Sequence, residues 1–496
     1  MTLRLGKLVV LFLLAAGLAA DEASTAARLE SLRDEPLLLR RFLEQMPKGG
    51  DLHNHLSGTV YAETYVALAA KAKLCIDTNR SAYVTCDVES KTQVPAEKAL
   101  TDSALYSKML DALSMRQFRS DVSQVSGHDH FFSTFSRFAM VSRGHTEEML
   151  TEVVARFARE NVDYVESLFG QDKGAARELG KTLPAGASFS EMRAALLKGG
   201  LPDVVKASRK TIDDAELHLR KELACGTPEA KPGCESTVRY LFEAHRAYAR
   251  EQLFAELLVG FELAKADSRV VGVNVVQPED SYASMTTFDE LMRMFAYLRP
   301  SYPTVRVSAH AGELAPGLVP PEGLQHHVRD SVMIARAERI GHATDIAYER
   351  DAIELLAVMA RRPVAVETCL SSAGIILGIH GKRHPLRMFL ESGVPVVLAT
   401  DDAGVARTDM TTEWQRAVEE HAVTYADLKR FARNSLEYSF LEGASLWADR
   451  EYSTLTGACR DEASERCNAF LDWSPKGRAQ MRLERRLRAF ESSELR

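Results

Sequence analysis

A (β/α)8 TIM barrel, an α/β fold with a helical N-terminal extension and disulfide-bearing insertions, is what this sequence predicts. Two features predict it. Eight short apolar runs, nearly continuous rather than alternating, punctuate residues 49–402, and stretches of helical spacing such as FDELMRMFAYL and DAIELLAVMARR separate most of them. Strands apolar on both faces, alternating with helices, define a parallel sheet covered by helices; eight such units favour a closed barrel over an open doubly wound sheet. The runs are GGDLHNHL (49–56), VDYVESLF (162–169), VRYLFEAHR (238–246), VVGVNVVQ (270–277), VRVSAHAGE (305–313), RIGHATDI (339–346), VAVETCLS (364–371) and VPVVLATDD (394–402). Two connections, 57–161 and 170–237, are too long for a minimal barrel and mark insertions near 70–125 and 170–237.

The flanks read differently. Arg4 and Lys7 precede LVVLFLLAAGLAA, the layout of a secretory signal peptide over 1–20 with cleavage after Ala19 or Ala20. The run is too short to span a bilayer comfortably, so the expected mature protein is exported, to the periplasm or the medium, without stable membrane association. Residues 21–46 form a helical prelude interrupted at Pro36, which packs on its own barrel or on a second copy in a homodimer. The barrel domain then runs over 47–445 and a helical segment over 446–496. In that last segment RAQMRLERRLRAF reads as an amphipathic, solvated helix. A net charge of −7 gives no reason to expect nucleic acid as a partner.

Six of the seven cysteines fall into close pairs in polar, turn-rich segments: Cys75–Cys86, Cys225–Cys234 and Cys459–Cys467. Short disulfide loops in an oxidising compartment fit this spacing, and no CxxC spacing suggests zinc. Cys369, in an apolar run, reads as a buried free thiol.

The chemistry-bearing residues lie in four islands at the C-terminal ends of predicted strands one, five, six and eight: HNH at 53–55, HAGE at 310–313, RIGHA at 339–343 and TDDA at 400–403. Barrel strand ends converge on one mouth, which joins residues far apart in sequence. Singly, each island has a bland reading: a chance HxH, a capped strand end, a solvated Asp-Asp turn. Jointly, His53, His55 and His310 with Asp401 form a nitrogen–oxygen donor set suited to Zn²⁺, which lowers the pKa of a water. Glu313 is then placed to protonate a ring nitrogen, His342 to hold or deprotonate the water, and Asp402 to hydrogen-bond a heterocyclic nitrogen.

These motifs resemble those of the adenosine deaminase family. MPKGGDLHNHLSG is similar to its first metal motif, SAHAGE to its acid motif, RIGHA to its catalytic-histidine motif, VETCLSS to its strand-seven segment and HPLRMFLESGVPVVLATDDAG to its last motif. The signal peptide, N-terminal extension and disulfide-bearing insertion resemble the secreted, growth-factor-type branch. The resemblance implies one zinc on His53, His55, His310 and Asp401, Glu313 as proton donor to purine N1, His342 as water-orienting base and Asp402 at N7. Three positions depart from the pattern: Gln277 stands where a glycine usually meets N3, Ala403 where proline is usual, and Ser57 where many members carry an acid near the ribose. The expected activity is conversion of adenosine or 2′-deoxyadenosine to the inosine form with release of ammonia. A modified adenine nucleoside, a nucleotide or another amino-heterocycle is the alternative substrate. An extracellular nucleoside-binding or signalling protein is the alternative class.

Overall fold

The computed structural model describes residues 22–119 and 121–493; the segment read as a signal peptide lies outside the described residues. Eight parallel strands form the barrel: β1 (Gly49–His55), β2 (Val162–Phe169), β3 (Thr237–His245), β4 (Val270–Val276), β5 (Arg306–Ala311), β6 (Arg339–His342), β7 (Ala365–Thr368) and β8 (Val396–Leu398). Each pairs with its sequence neighbour, as right-handed β–α–β crossovers require. β8 shares no ladder with β1. Closure there is a parallel bridge between Asn54 and Asp401: the Asp401 N–H donates to the His53 carbonyl at 2.9 Å and the His55 N–H to the Asp401 carbonyl at 3.3 Å.

All eight predicted strands are present, and β2 has the predicted bounds. Several others stop earlier than their apolar runs. Left-handed backbones end the extended runs: His342, the last residue of β6, and Ala343 and Asp401, past the ends of their strands, have φ of 72°, 48° and 56°. Cys369 is a free, buried thiol one residue past β7.

The insertion after β1 is a three-stranded antiparallel sheet (Cys75–Asp77, Ala82–Val84, Gln93–Pro95) followed by helices. The prelude helix α1 (Pro36–Gln45) packs on its own chain: Phe42 lies 5.2 Å from Phe490 of the C-terminal segment, and Arg40 pairs with Asp409, past β8 of the barrel, at 2.6 Å. From the same insertion, helix α2 (Gly127–Ser142), capped by Ser126, crosses the barrel mouth. After β2, helix α3 (Ala175–Gly180) begins a helical insertion. The three expected disulfides are formed. The C-terminal helix α4 (Pro475–Ser493) is amphipathic, as expected: Met481, Leu483, Leu487 and Phe490 are buried, and its partly exposed Arg486 and Arg488 pair with Asp163 and Glu462.

The barrel interior is polar toward its floor. Buried Arg339, on β6, donates to Glu367 of β7 at 2.5 Å and Glu166 of β2 at 2.6 Å, with Phe440 lying 3.7 Å from its guanidinium carbon. Removing one member leaves buried carboxylates unpaired. Arg339→Met is therefore expected to destabilise the fold by about 3–5 kcal/mol in denaturant titration.

Candidate active site

The four islands meet at the C-terminal mouth of the barrel. Each of three histidines is fixed through Nδ1, and each points Nε2 inward. His53 Nδ1 meets Glu367 at 2.6 Å, His55 Nδ1 meets Glu243 at 2.7 Å, and His310 Nδ1 meets the Asn274 amide oxygen at 2.7 Å. With the proton on Nδ1, the Nε2 lone pair is free for a cation. The Nε2 atoms of His55 and His310 lie 3.1 Å apart, a separation that either a shared proton or a cation accounts for. Asp401 Oδ1 is 3.5 Å from His53 Nε2 and 3.4 Å from His55 Nε2. Its other oxygen accepts from Ser372 at 2.6 Å. Buried His53 Nε2 has no hydrogen-bond partner, an orphan that a metal would satisfy. The donor chemistry and the orphaned nitrogen fit a divalent cation: His53, His310 and Asp401 share one cluster of potential ligand atoms, and His55 falls in a second with Asp401 and Asp402.

His342 Nε2, also buried and without a partner, faces the same point; its potential ligand atom clusters with those of His53, His310 and Asp401 within 4.8 Å. It lies 3.7 Å from Glu313 Oε1. Close packing sets this arrangement. A Cβ on Gly341 would stand 2.6 Å from His53 Cε1, and one on Gly58 only 1.5 Å from Asp402 Oδ1. Both glycines are therefore fixed by the site rather than by turn conformation.

Electrostatics divide the groups by role. Burial lowers His53 and His55, but Asp401 and Glu367 raise His53 to about 10, while Asp402 and Glu243 raise His55 to about 9. Burial works against the Asp401 carboxylate too, yet His53 and the other imidazoles hold it far below the usual range. Glu313 goes the other way: burial, then repulsion from Asp401 and Glu279, pushes it well above 4.5. Asp402 is likewise raised by burial and by Asp401. Burial brings His342 down to about 4. Burial thus favours the protonated form of Glu313 and Asp402 and the neutral form of His342.

A cavity of about 440 Å³ opens above this centre, lined by Ser57, Gln277, Glu313, His342, Asp402 and the underside of α2. Phe131, Phe132 and Phe135 of α2 form its apolar wall. Ser57 lies on the rim, its carbonyl accepting from Tyr65 at 2.6 Å. Gln277 adopts the left-handed backbone suited to glycine, with φ 87°, while its side-chain oxygen accepts from the Ala247 N–H at 2.8 Å. The side chain is thus anchored on the rim, and the backbone follows the path a glycine would take.

Several contributors were not singled out from sequence. Glu367, Glu243 and Asn274 orient the ligands, and acids or amides inside apolar strands are a readable signal for such partners. Buried Glu279 accepts from the Gly312 and Glu313 N–H groups at 3.1 and 2.8 Å and from His327 at 2.6 Å, which fixes the HAGE turn. The α2 aromatics carried no chemical signal.

A barrel with a His3Asp cluster and a carboxyl acid at its mouth defines a metal-dependent aminohydrolase, and the comparisons agree. The family model for adenosine deaminase matches residues 122–446, more than half of the chain, which belongs to the adenosine deaminase family. The match begins beyond β1, so His53 and His55 lie outside it; the fold brings them to the site. An aminodeoxyfutalosine deaminase from Streptomyces coelicolor is 26% identical over 439 residues, covering 87% of this chain and 93% of its own. Adenosine deaminases from Shewanella woodyi and Mycobacterium ulcerans are 32% and 29% identical, over 27% and 44% of this chain. These two matches span only 38% and 57% of the relatives' own lengths. An N6-mAMP deaminase from Arabidopsis shares the fold, with TM-score 0.53 and 19% identity over 81% of this chain and 96% of its own.

Two substitutions check the assignment. Glu367→Gln is expected to weaken metal affinity roughly 10–100-fold in chelator competition, since His53 loses its orienting carboxylate. Gln277→Gly should leave stability within roughly 1 kcal/mol, strain relief offsetting glycine's greater unfolded freedom. A large change in KM would show instead that the Gln277 side chain reaches the substrate.

Proposed function

We propose that this chain hydrolytically deaminates an adenine nucleoside, with adenosine and 2′-deoxyadenosine as the simplest substrates. Water and the nucleoside become the inosine form and ammonia. The observation that carries this reading is the pairing of one His/Asp cluster with two further carboxyls, Glu313 and Asp402, around a single cavity, where burial favours their protonated form. N1 and N7 of adenine are both acceptors, so both need donors.

Zn²⁺ is the cation we assign to His53, His55, His310 and Asp401; when bound it supplies Lewis-acid activation of the attacking water. The remaining steps belong to the chain. His342, neutral, takes a proton as the water oxygen bonds to C6. Glu313 delivers its proton to N1, leaving a tetrahedral C6 that carries OH and NH2. Collapse breaks the C6–N bond: the His342 proton leaves on ammonia, and the hydroxyl proton returns to Glu313. Asp402 holds N7 throughout, and the α2 aromatics keep bulk water out. We further propose export of the protein, which the three disulfides support.

Glu313→Gln is expected to lower kcat by at least about 10²–10⁴-fold while bound zinc stays stoichiometric. Metal loss in that variant would reassign Glu313 as a ligand. Chelation of the wild-type protein should abolish ammonia release, and zinc should restore it.

A further inference from the structure

A second chamber of about 240 Å³ adjoins the active-site cavity and shares Ser57, Glu243, His245 and Tyr248 with it. A water's share of liquid volume is about 30 Å³, so this chamber has room for a sizeable polar substituent. Three cationic side chains line its far side: Arg143, at the end of α2, Lys173 in the loop after β2, and Arg177 of α3. Arg177 lies 4.7 Å from the centre of the Tyr248 ring and 3.4 Å from Glu256. Arg143 and Lys173 are exposed and, among the described residues, form no ion pair. The acids present are already engaged. Glu243 is bound to His55, and Asp172 accepts from the Ala176 N–H at 2.8 Å. Among the described residues, the charged side chains that line the chamber with neither an ion pair nor a side-chain hydrogen bond, Arg143 and Lys173, are both cationic.

Its position follows from the chemistry above. With C6 at the metal centre, N1 at Glu313 and N7 at Asp402, the purine's N9 and its ribose point away from the ligands. Ser57, where many family members carry an acid near the ribose, lies where the two chambers meet, and a serine does not repel an anion as an acid would. We propose that the chain's preferred substrates are adenine nucleosides bearing an anion, a phosphate or a carboxylate, on the 5′ carbon, held by Arg143 and Lys173. This rests on the adenine-nucleoside reading. Charge-assisted hydrogen bonds to such a group lie away from the reacting carbon and contribute to kcat/KM.

The test measures ammonia release by the zinc-loaded full chain on adenosine, 5′-methylthioadenosine, AMP and adenosine-5′-carboxylic acid. At least one anion should exceed both neutral nucleosides in kcat/KM by about tenfold or more, and the preference should shrink as salt rises. Whichever anion leads identifies the source. In Arg143→Gln/Lys173→Gln the anion-to-neutral ratio should fall at least about tenfold, chiefly through KM. Adenosine or 5′-methylthioadenosine matching the anions overturns the proposal and leaves the deaminase reading standing. A preference insensitive to salt, or a ratio unchanged in the double variant, also overturns it. No turnover of any of the four compounds would instead sink the adenine-nucleoside reading itself.

Discussion

The structure depends on one seam, where β1 meets the segment after β8. No ladder joins the two strands; the barrel closes through Asp401, whose N–H and C=O bond the backbone of His53 and His55. Three of the four residues we assign to the metal are thus the residues that close the sheet. A buried carboxylate braces the seam: Asp51 accepts from the His53 N–H at 3.0 Å with one oxygen and from the Thr400 hydroxyl at 2.7 Å with the other. Thr59 adds a bond to the Asp401 carbonyl at 3.1 Å. Asp401 adopts its left-handed backbone at this point, a strain that persists only where surrounding bonds over-determine it. Folding the barrel and placing the ligands are therefore one event, and a shift at the seam would be felt at every ligand.

Charge in the barrel interior explains why a cation belongs there. Glu166, Glu367, Glu243 and Asp401 are packed into or against it, with Arg339 the cation that pairs Glu166 and Glu367. Buried carboxylates in such excess are unfavourable unless matched. Without a metal, His53 and His55 match them by holding protons, which is why both are raised. A dication would take over that role and release those protons, so metal affinity should strengthen as pH rises toward neutrality and beyond. Burial and the same field separate Asp401, held low by the imidazoles, from Asp402 and Glu313, both raised. Two adjacent aspartates thus serve opposite purposes because one faces imidazoles and the other faces its neighbour's charge.

The sequence was informative wherever a residue's role is local. Strands apolar on both faces showed as runs, and their C-terminal islands showed as HxH, HAGE and TDDA because ligands on strand ends have short, fixed spacings. The runs overshot their strands because left-handed turns at His342 and Asp401 carry no compositional mark. Less legible was anything decided by packing at a distance. Phe131, Phe132 and Phe135 read only as one more amphipathic helix, and whether they cover the core or the mouth depends on where α2 docks. Glu279 lay in a stretch read for purine recognition, and its bonds to the HAGE turn depend on a fold that places β4 beside β5. The acids that pair with the C-terminal helix's arginines, Asp163 and Glu462, lie in other segments and leave no mark in the helix's own sequence.

Gln277 illustrates how a departure from a motif is to be weighed. The substitution suggests a lost glycine and a lost contact, yet the backbone keeps a conformation glycine would favour, and the side chain satisfies the Ala247 N–H. The cost of that strain, of order 1 kcal/mol or more, is met by an anchoring bond on the rim. Ser57 is different. It changes charge rather than shape, at the junction of the two chambers. The barrel strands carry the chemistry, which tolerates little change, while α2 and the loop after β2 carry the walls beyond the purine. Differences in substrate among proteins of this fold should therefore arise at those walls, where helices and loops can vary without disturbing the seam.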